Sequence, residues 1–214
     1  MNEPVSQADE FSSAIKEHAP RYEVQLTTDD VALLGEYYEQ VMAWNKRLHL
    51  VAPCSPAEFA TRHILESLLA LQHLPAAAHV ADVGSGAGLP IIPCMIVRTG
   101  LQATLLESSQ KKAVFLREAL RRVGASDRAN VIAERFEQTH APEAEFVTCR
   151  ALDRFAEMFP KLIEWSPQGS TLLLFGGEGL REQTEKAALP YKAVRIPESE
   201  RRFLFIIKRG EQGQ

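Results

Sequence analysis

The chain has 214 residues, 45% apolar and 24% charged. That is the length of one domain with enough apolar mass for a sizeable core, and it excludes a largely disordered or collagen-like chain. The formal net charge of −4 is not in itself the mark of a nucleic-acid binder. It is unevenly spread, however: residues 1–80 carry 5 Lys/Arg against 11 Asp/Glu, and residues 81–214 carry 19 against 17.

No apolar run reaches the ~20 residues of a membrane span. The polar, acidic opening MNEPVSQADEFSSAIKEH is unlike a secretory signal. The expectation is a soluble cytoplasmic protein. Cys54, Cys94 and Cys149 are odd in number and show no C-x-x-C spacing, which points to reduced thiols and away from a disulfide framework or a metal site.

Residues 1–25 read as a variable leader with one short helix. Thr28-Asp29-Asp30 resembles a helix start, and Val31, Leu34, Tyr38, Val41 and Met42 follow with helical spacing. Ser55-Pro56-Ala57-Glu58 is a capping box with Pro at the first helical position, opening a helix to about His73. From His79 the texture changes. HVADVG and ATLLE (103–107) read as strands, Ser108-Ser109 caps a helix through Arg122, and Gly124 closes it. NVIAE (130–134), FVTCR (146–150) and STLLLF (170–175) are further strands. Helices are expected near 89–98, 153–165 and 178–188. This alternation implies a mostly parallel sheet covered by helices on both faces. KAVRIP and FLFIIKR have no helix between them and suggest an antiparallel hairpin at one edge.

Asp82-Val83-Gly84-Ser85-Gly86-Ala87-Gly88 joins the first strand to a helix. Glycines there let a ligand approach the backbone. Glu107 ends the next strand, where a carboxylate can accept from both hydroxyls of a ribose. A dinucleotide site needs G-x-G-x-x-G, and Leu89 stands at the third glycine position. The observed G-x-G-x-G, with Asp82 two residues ahead of it, resembles the first motif of S-adenosylmethionine-dependent methyltransferases.

Thr148-Cys149-Arg150 falls at a strand's carboxyl end, where ligands of such sheets bind. The Asn/Asp-Pro-Pro-aromatic motif of amine methyltransferases is absent there. Cys149 reads as a buried thiol rather than a nucleophile. Arg150 fits a cofactor or phosphate contact and a structural ion pair equally well. The basic residues Lys111, Lys112, Arg117 and Arg121 are either a solvated helix face or contacts to nucleic-acid phosphates.

Taken together, Trp44-Asn45-Lys46, Arg62-His63-Ile64-Leu65-Glu66-Ser67, DVGSGAGLP, LLES with Lys111-Lys112, Arg135-Phe136-Glu137, Cys149-Arg150-Ala151 and FLFIIKR closely resemble one family. It is the bacterial small-subunit ribosomal RNA guanine-N7 methyltransferases, also called the glucose-inhibited division protein B family. The likeness spans about residues 30–209. It implies a Rossmann-like α/β methyltransferase fold, with a leader at 1–27, a helical N-terminal extension at 28–77 and a methyltransferase core at 78–214. It also implies S-adenosylmethionine as methyl donor and a guanine of 16S rRNA, in the free RNA or the small ribosomal subunit, as acceptor; the accompanying expectation is a monomer with no metal and no membrane.

By the same resemblance Gly84 and Leu89 line the cofactor, Gly86 and Gly88 permit its approach, Glu107 stands at the ribose, Phe136 and Glu137 lie beside the adenine, and Arg150 is adjacent to the cofactor. Asn45, Arg62 and His63 are either substrate contacts or helix-packing residues. Two alternatives remain: a methyltransferase of this fold acting on a small molecule or protein, and a non-catalytic relative that binds cofactor or RNA. Guanine N7 carries a free lone pair and no proton, so its methylation requires orientation and electrostatics but no general base.

Overall fold

The structure is a computed structural model, and it describes residues 6–150 and 155–210. Ala151 and the first residues of the helix expected over 153–165 lie outside the described residues. Among those described, seven strands form one sheet in the order β3-β2-β1-β4-β5-β7-β6. They are β1 (Ala78–Val83), β2 (Leu101–Leu106), β3 (Ala129–Ile132), β4 (Phe146–Arg150), β5 (Thr171–Gly176), β6 (Tyr191–Arg195) and β7 (Phe203–Lys208). The pairings from β3 through β5 are parallel, and β7 runs antiparallel to both β5 and β6. The expected mostly parallel sheet and its terminal hairpin are both present.

Alternation along the central strands feeds two cores. Val80 and Leu105 pack into one apolar cluster, while Ala81, Val83 and Leu106 pack into the other. Both faces are buried, which is why these strands read as nearly unbroken apolar runs. The chain leaves β1 outward to β2 and β3, then returns across β1 to β4. That reversal opens a crevice at the carboxyl ends of β1 and β4, the place where open α/β sheets bind ligands.

The amino-terminal part holds the short helix expected there, and that helix is packed into the core. Helix α1 (Gln7–His18) is capped by Ser6, and its Phe11 and Ile15 are fully buried. Phe11 stacks on Tyr38 at 4.7 Å between ring centroids. The segment therefore contributes to the same core as the sheet from Phe11 onward. Helix α2 (Thr28–Leu48) begins with a full capping box between Thr27 and Asp30.

The helix expected from Ser55 is one rod with changes of pitch: α3 (Pro56–Phe59), a π-helical stretch (Ala60–Leu65), α4 (Glu66–Leu68) and a closing 3₁₀ turn (Leu69–Gln72). Helices α5 (Ile91–Val97), α6 (Gln110–Arg122), α7 (Phe155–Trp165) and α8 (Glu178–Lys186) complete the fold. No helix of the described residues is long and apolar enough to cross a membrane.

Candidate functional site

Register alone brings the site together. Val83 pairs with Leu106 on one side and with Cys149 on the other. The residues that follow those positions, Gly84, Glu107 and Arg150, therefore meet at one end of the sheet. They line a cavity of about 650 Å³, within the range of small-molecule and cofactor sites. Ser85, Gly86, Ala87 and Leu89 of the glycine loop also line it, as do Lys112, Arg135, Phe136, Glu137 and Met158. Leu50, Val51, Ala52 and His63 of the N-terminal extension close one side.

The glycine loop is held by its own hydrogen bonds. The N–H groups of Gly84 and Ser85 donate to the Leu106 carbonyl, and that of Gly88 donates to the Ser85 carbonyl. Gly86 N–H donates to Glu107 Oε2 at 2.9 Å, while Glu107 Oε1 accepts from Ser109 N–H at 2.8 Å. A phosphate cradle needs such N–H groups turned outward; here four of them are spent internally, with a carboxylate beside them. The arrangement suits a nucleoside ligand without phosphate. A carboxylate has about four acceptor sites, so Glu107 retains capacity for ribose hydroxyls after its two backbone bonds.

Positive φ values at Gly84, Gly86 and Gly88 shape the loop. Gly86 faces the cavity. Gly88 does not line it: a Cβ there would fall 2.4 Å from Ile92 Cδ1, so this glycine lets α5 pack beneath the loop. Asp82 is likewise under the loop and not in the cavity wall. It is fully buried, and its Oδ1 accepts from the Thr148 hydroxyl at 2.6 Å. Burial pushes its carboxyl up to about 7, with the Thr148 bond opposing.

Phe136 lies on a 3₁₀ turn after β3, buried edge-on against Trp165 at 5.6 Å, beside the exposed Glu137. Arg150 touches the cavity, but most of its guanidinium faces inward. It donates to the carbonyls of Arg62 and His63, to Ser67 Oγ, and to Glu66 Oε2 at 3.2 Å. The ion-pair reading of Arg150 is seen directly, and the residue also forms part of the cavity wall. Glu66 in turn pairs with Arg202, just ahead of β7.

The substrate-side residues separate. Asn45 clamps the chain: its amide donates to the Val51 carbonyl at 3.1 Å, and its Oδ1 accepts from Val51 N–H at 3.0 Å. It shapes the Leu50–Ala52 wall without lining the cavity. Arg62 is exposed and pairs with Glu58. His63 does line the cavity, with its ring 5.0 Å from that of Phe59. Lys112 lines the cavity; Lys111 is exposed outside it. Sequence reasoning missed Tyr37, whose hydroxyl reaches the loop, and the Leu50–Ala52 wall.

A family model described as rRNA small subunit methyltransferase G matches residues 30–201. The chain belongs to this family. A ribosomal RNA small subunit methyltransferase G of Xanthomonas campestris pv. campestris is 42% identical over 166 residues, 77% of this chain and 76% of that protein. One from Sorangium cellulosum is 34% identical over 172 residues, covering 77% and 72%. Among solved structures, an O-methyltransferase of Bacillus cereus in complex with S-adenosylhomocysteine aligns over 94% of this chain and 99% of its own at TM-score 0.62 and 18% identity. An RNA methyltransferase of Salinibacter ruber with the same ligand aligns over 77% and 97% at TM-score 0.57 and 17% identity. These two share the fold. Family membership makes the chain an S-adenosylmethionine-dependent methyltransferase, as its glycine loop suggested.

Proposed function

We propose that this protein transfers a methyl group from S-adenosylmethionine to N7 of a guanine in 16S rRNA, in the free RNA or the small ribosomal subunit, as a cytoplasmic monomer. The observation that carries the reading is the make-up of the cavity. It is lined by the glycine loop and Glu107, whose mutual hydrogen bonds suit a nucleoside without phosphate, and by Leu50, Val51, Ala52 and His63 of the N-terminal extension. Two of the polar groups along it, Glu107 and His63, are poorly suited to act as a general base. Glu107 is engaged by two backbone N–H groups, and burial with Arg150 nearby pushes the His63 imidazole down to about 4.

When bound, S-adenosylmethionine supplies an electrophilic methyl group on a sulfonium. Glu107 and the glycine loop hold the ribose end, and Phe136 offers an apolar face to the adenine. Leu89, Met158 and the Leu50–Ala52 wall exclude water. Guanine N7 needs nothing removed before it attacks, so orientation accounts for the rate. N7 faces the deep, narrow major groove of an RNA helix, so the target base must be unstacked or in a loop to enter. Exposed Lys111 and Arg121 on α6, with Lys112 at the cavity, provide phosphate contacts whose affinity falls with salt. Arg117, on the same helix, spends one nitrogen on the Val131 carbonyl.

The test uses small subunits and 16S rRNA from a strain lacking this gene, labelled S-adenosylmethionine, and mass spectrometry of the digested RNA. One new 7-methylguanosine supports the reading. Cofactor binding with both RNA forms unmodified would overturn it and turn attention to small-molecule or protein acceptors.

A further inference from the structure

His63 stands apart from the rest of the cavity lining. It sits in the π-helical stretch Ala60–Leu65, a local widening that often marks functional sites in helices. That stretch presents the carbonyls of Arg62 and His63 to Arg150. The imidazole lines the cavity beside the strand ends, and its Nδ1 is buried without a hydrogen-bond partner.

The charges around it are Arg150 from β4, Arg202 from the segment before β7, and Arg62 and Glu58 from its own helix. Three of the four are cationic. Burial and that positive surround keep the ring neutral. A neutral imidazole has one N–H and one lone pair. Nδ1 is the ring nitrogen shut away from solvent, so with the N–H on Nε2 the ring offers its donor to the cavity.

We infer that His63 is the residue that selects guanine: its Nε2–H donates to O6 of the acceptor base and leaves the neighbouring N7 lone pair free to attack. The inference rests on the proposed function. On this edge guanine presents N7 and O6 acceptors, whereas adenine presents an N6 amino donor beside N7. A donor at His63 therefore pairs with guanine and opposes adenine. The ring's neutrality matters for the reaction too, because an imidazolium would repel the positive charge that develops on the purine as the methyl arrives.

The experiment first maps the guanine methylated by the wild-type enzyme. It then compares an RNA carrying that guanine with one carrying 2-aminopurine in its place, which keeps N7 and lacks O6. For each of wild type, His63→Ala and His63→Gln, kcat/KM on both RNAs and the Kd for S-adenosylhomocysteine are measured. The wild type is expected to lose roughly 10- to 100-fold on 2-aminopurine. His63→Ala is expected to lose a similar factor on guanine and to discriminate little between the two. His63→Gln, whose amide also donates, should recover much of the preference. Cofactor affinity should stay within about twofold throughout, which a merely structural role would not allow. A His63→Ala enzyme that discriminates as the wild type does would overturn the inference alone. A wild type that produces no 7-methylguanosine would overturn the proposed function as well.

Discussion

The hydroxyl of Tyr37, in the middle of α2, donates a 2.5 Å hydrogen bond to the carbonyl of Ala87 in the glycine loop. Both residues are buried. Burial and the nearby Asp82 push the phenol far above its ordinary range, so it remains a neutral donor at any working pH. The bond ties the helical extension to the loop that lines the cavity. Tyr37→Phe keeps the ring and leaves the Ala87 carbonyl buried and unpaired, a loss of about 1–2 kcal/mol. The expected result is S-adenosylhomocysteine binding weakened about 5- to 10-fold by titration calorimetry, with a modest fall in Tm. An unchanged Kd would mean that the loop holds its shape without the extension.

Gly88 is required by packing as much as by backbone conformation. Its φ is +87°, and a Cβ there would meet Ile92 Cδ1 at 2.4 Å and Cγ1 at 2.8 Å, with Leu116 Cδ2 at 3.3 Å. Gly88→Ala therefore combines left-handed strain with overpacking and should cost about 2–4 kcal/mol. Trimming the opposing side chain in Ile92→Val removes Cδ1. The double variant should be about 1 kcal/mol more stable than the sum of the single effects, measured by urea unfolding. Strict additivity would show that the crowding at Ile92 is relieved some other way.

Much of this was legible in the sequence because it rests on local rules. The strand–helix alternation, the glycine loop and Glu107 at the end of β2 follow from period, turn chemistry and strand length. What escaped depends on contacts between distant residues. The Phe11, Ala14, Ile15, Ala19 and Tyr22 stripe had helical spacing, yet its burial depends on Tyr38 and Phe59 being there to receive it. Asn45 looked as fit for substrate as for structure. The left-handed turn at His49 brings Val51 back onto its amide, and nothing in W-N-K announces that turn. Glu66 meets its two arginines from 84 and 136 positions further along the chain, a pairing that no local pattern encodes.

That Glu66 pairing makes its own prediction. The carboxylate is 1% exposed and lies between Arg150 and Arg202. It joins the segment ahead of β7 to the helix that carries His63. Burial raises its carboxyl pKa while the arginines oppose the rise. Glu66→Gln keeps the shape and leaves two cations without their shared counter-charge. Breaking a buried pair in this way costs about 3–5 kcal/mol. Chemical denaturation should show that loss, and cofactor affinity should fall with it because Arg150 is no longer held. A loss below about 1 kcal/mol would class the pair with surface bridges.

Asp82 sets a pH dependence of opposite sign to that of most acids in a folded protein. Its Oδ2 is buried without a partner, and its folded pKa is raised from 3.8 to about 7. Between those values the folded chain binds a proton that the unfolded chain has released. The stability this gives is fully present below about pH 3.8 and is lost as pH rises through 7. His63 works the other way. Its pKa falls from 6.5 to about 4, so its share of stability is present above pH 6.5 and disappears on acidification towards 4. The two contributions largely cancel in the wild type across that window. Asp82→Asn removes one of them and keeps an amide that can pair with Thr148. The stability of Asp82→Asn relative to wild type should therefore climb steadily from pH 4 to pH 7, by a few kcal/mol in total. Urea unfolding at half-unit pH intervals measures it. A difference that stays flat across this range would mean that Asp82 is ionised in the folded protein and that the Thr148 hydroxyl meets its charge unaided.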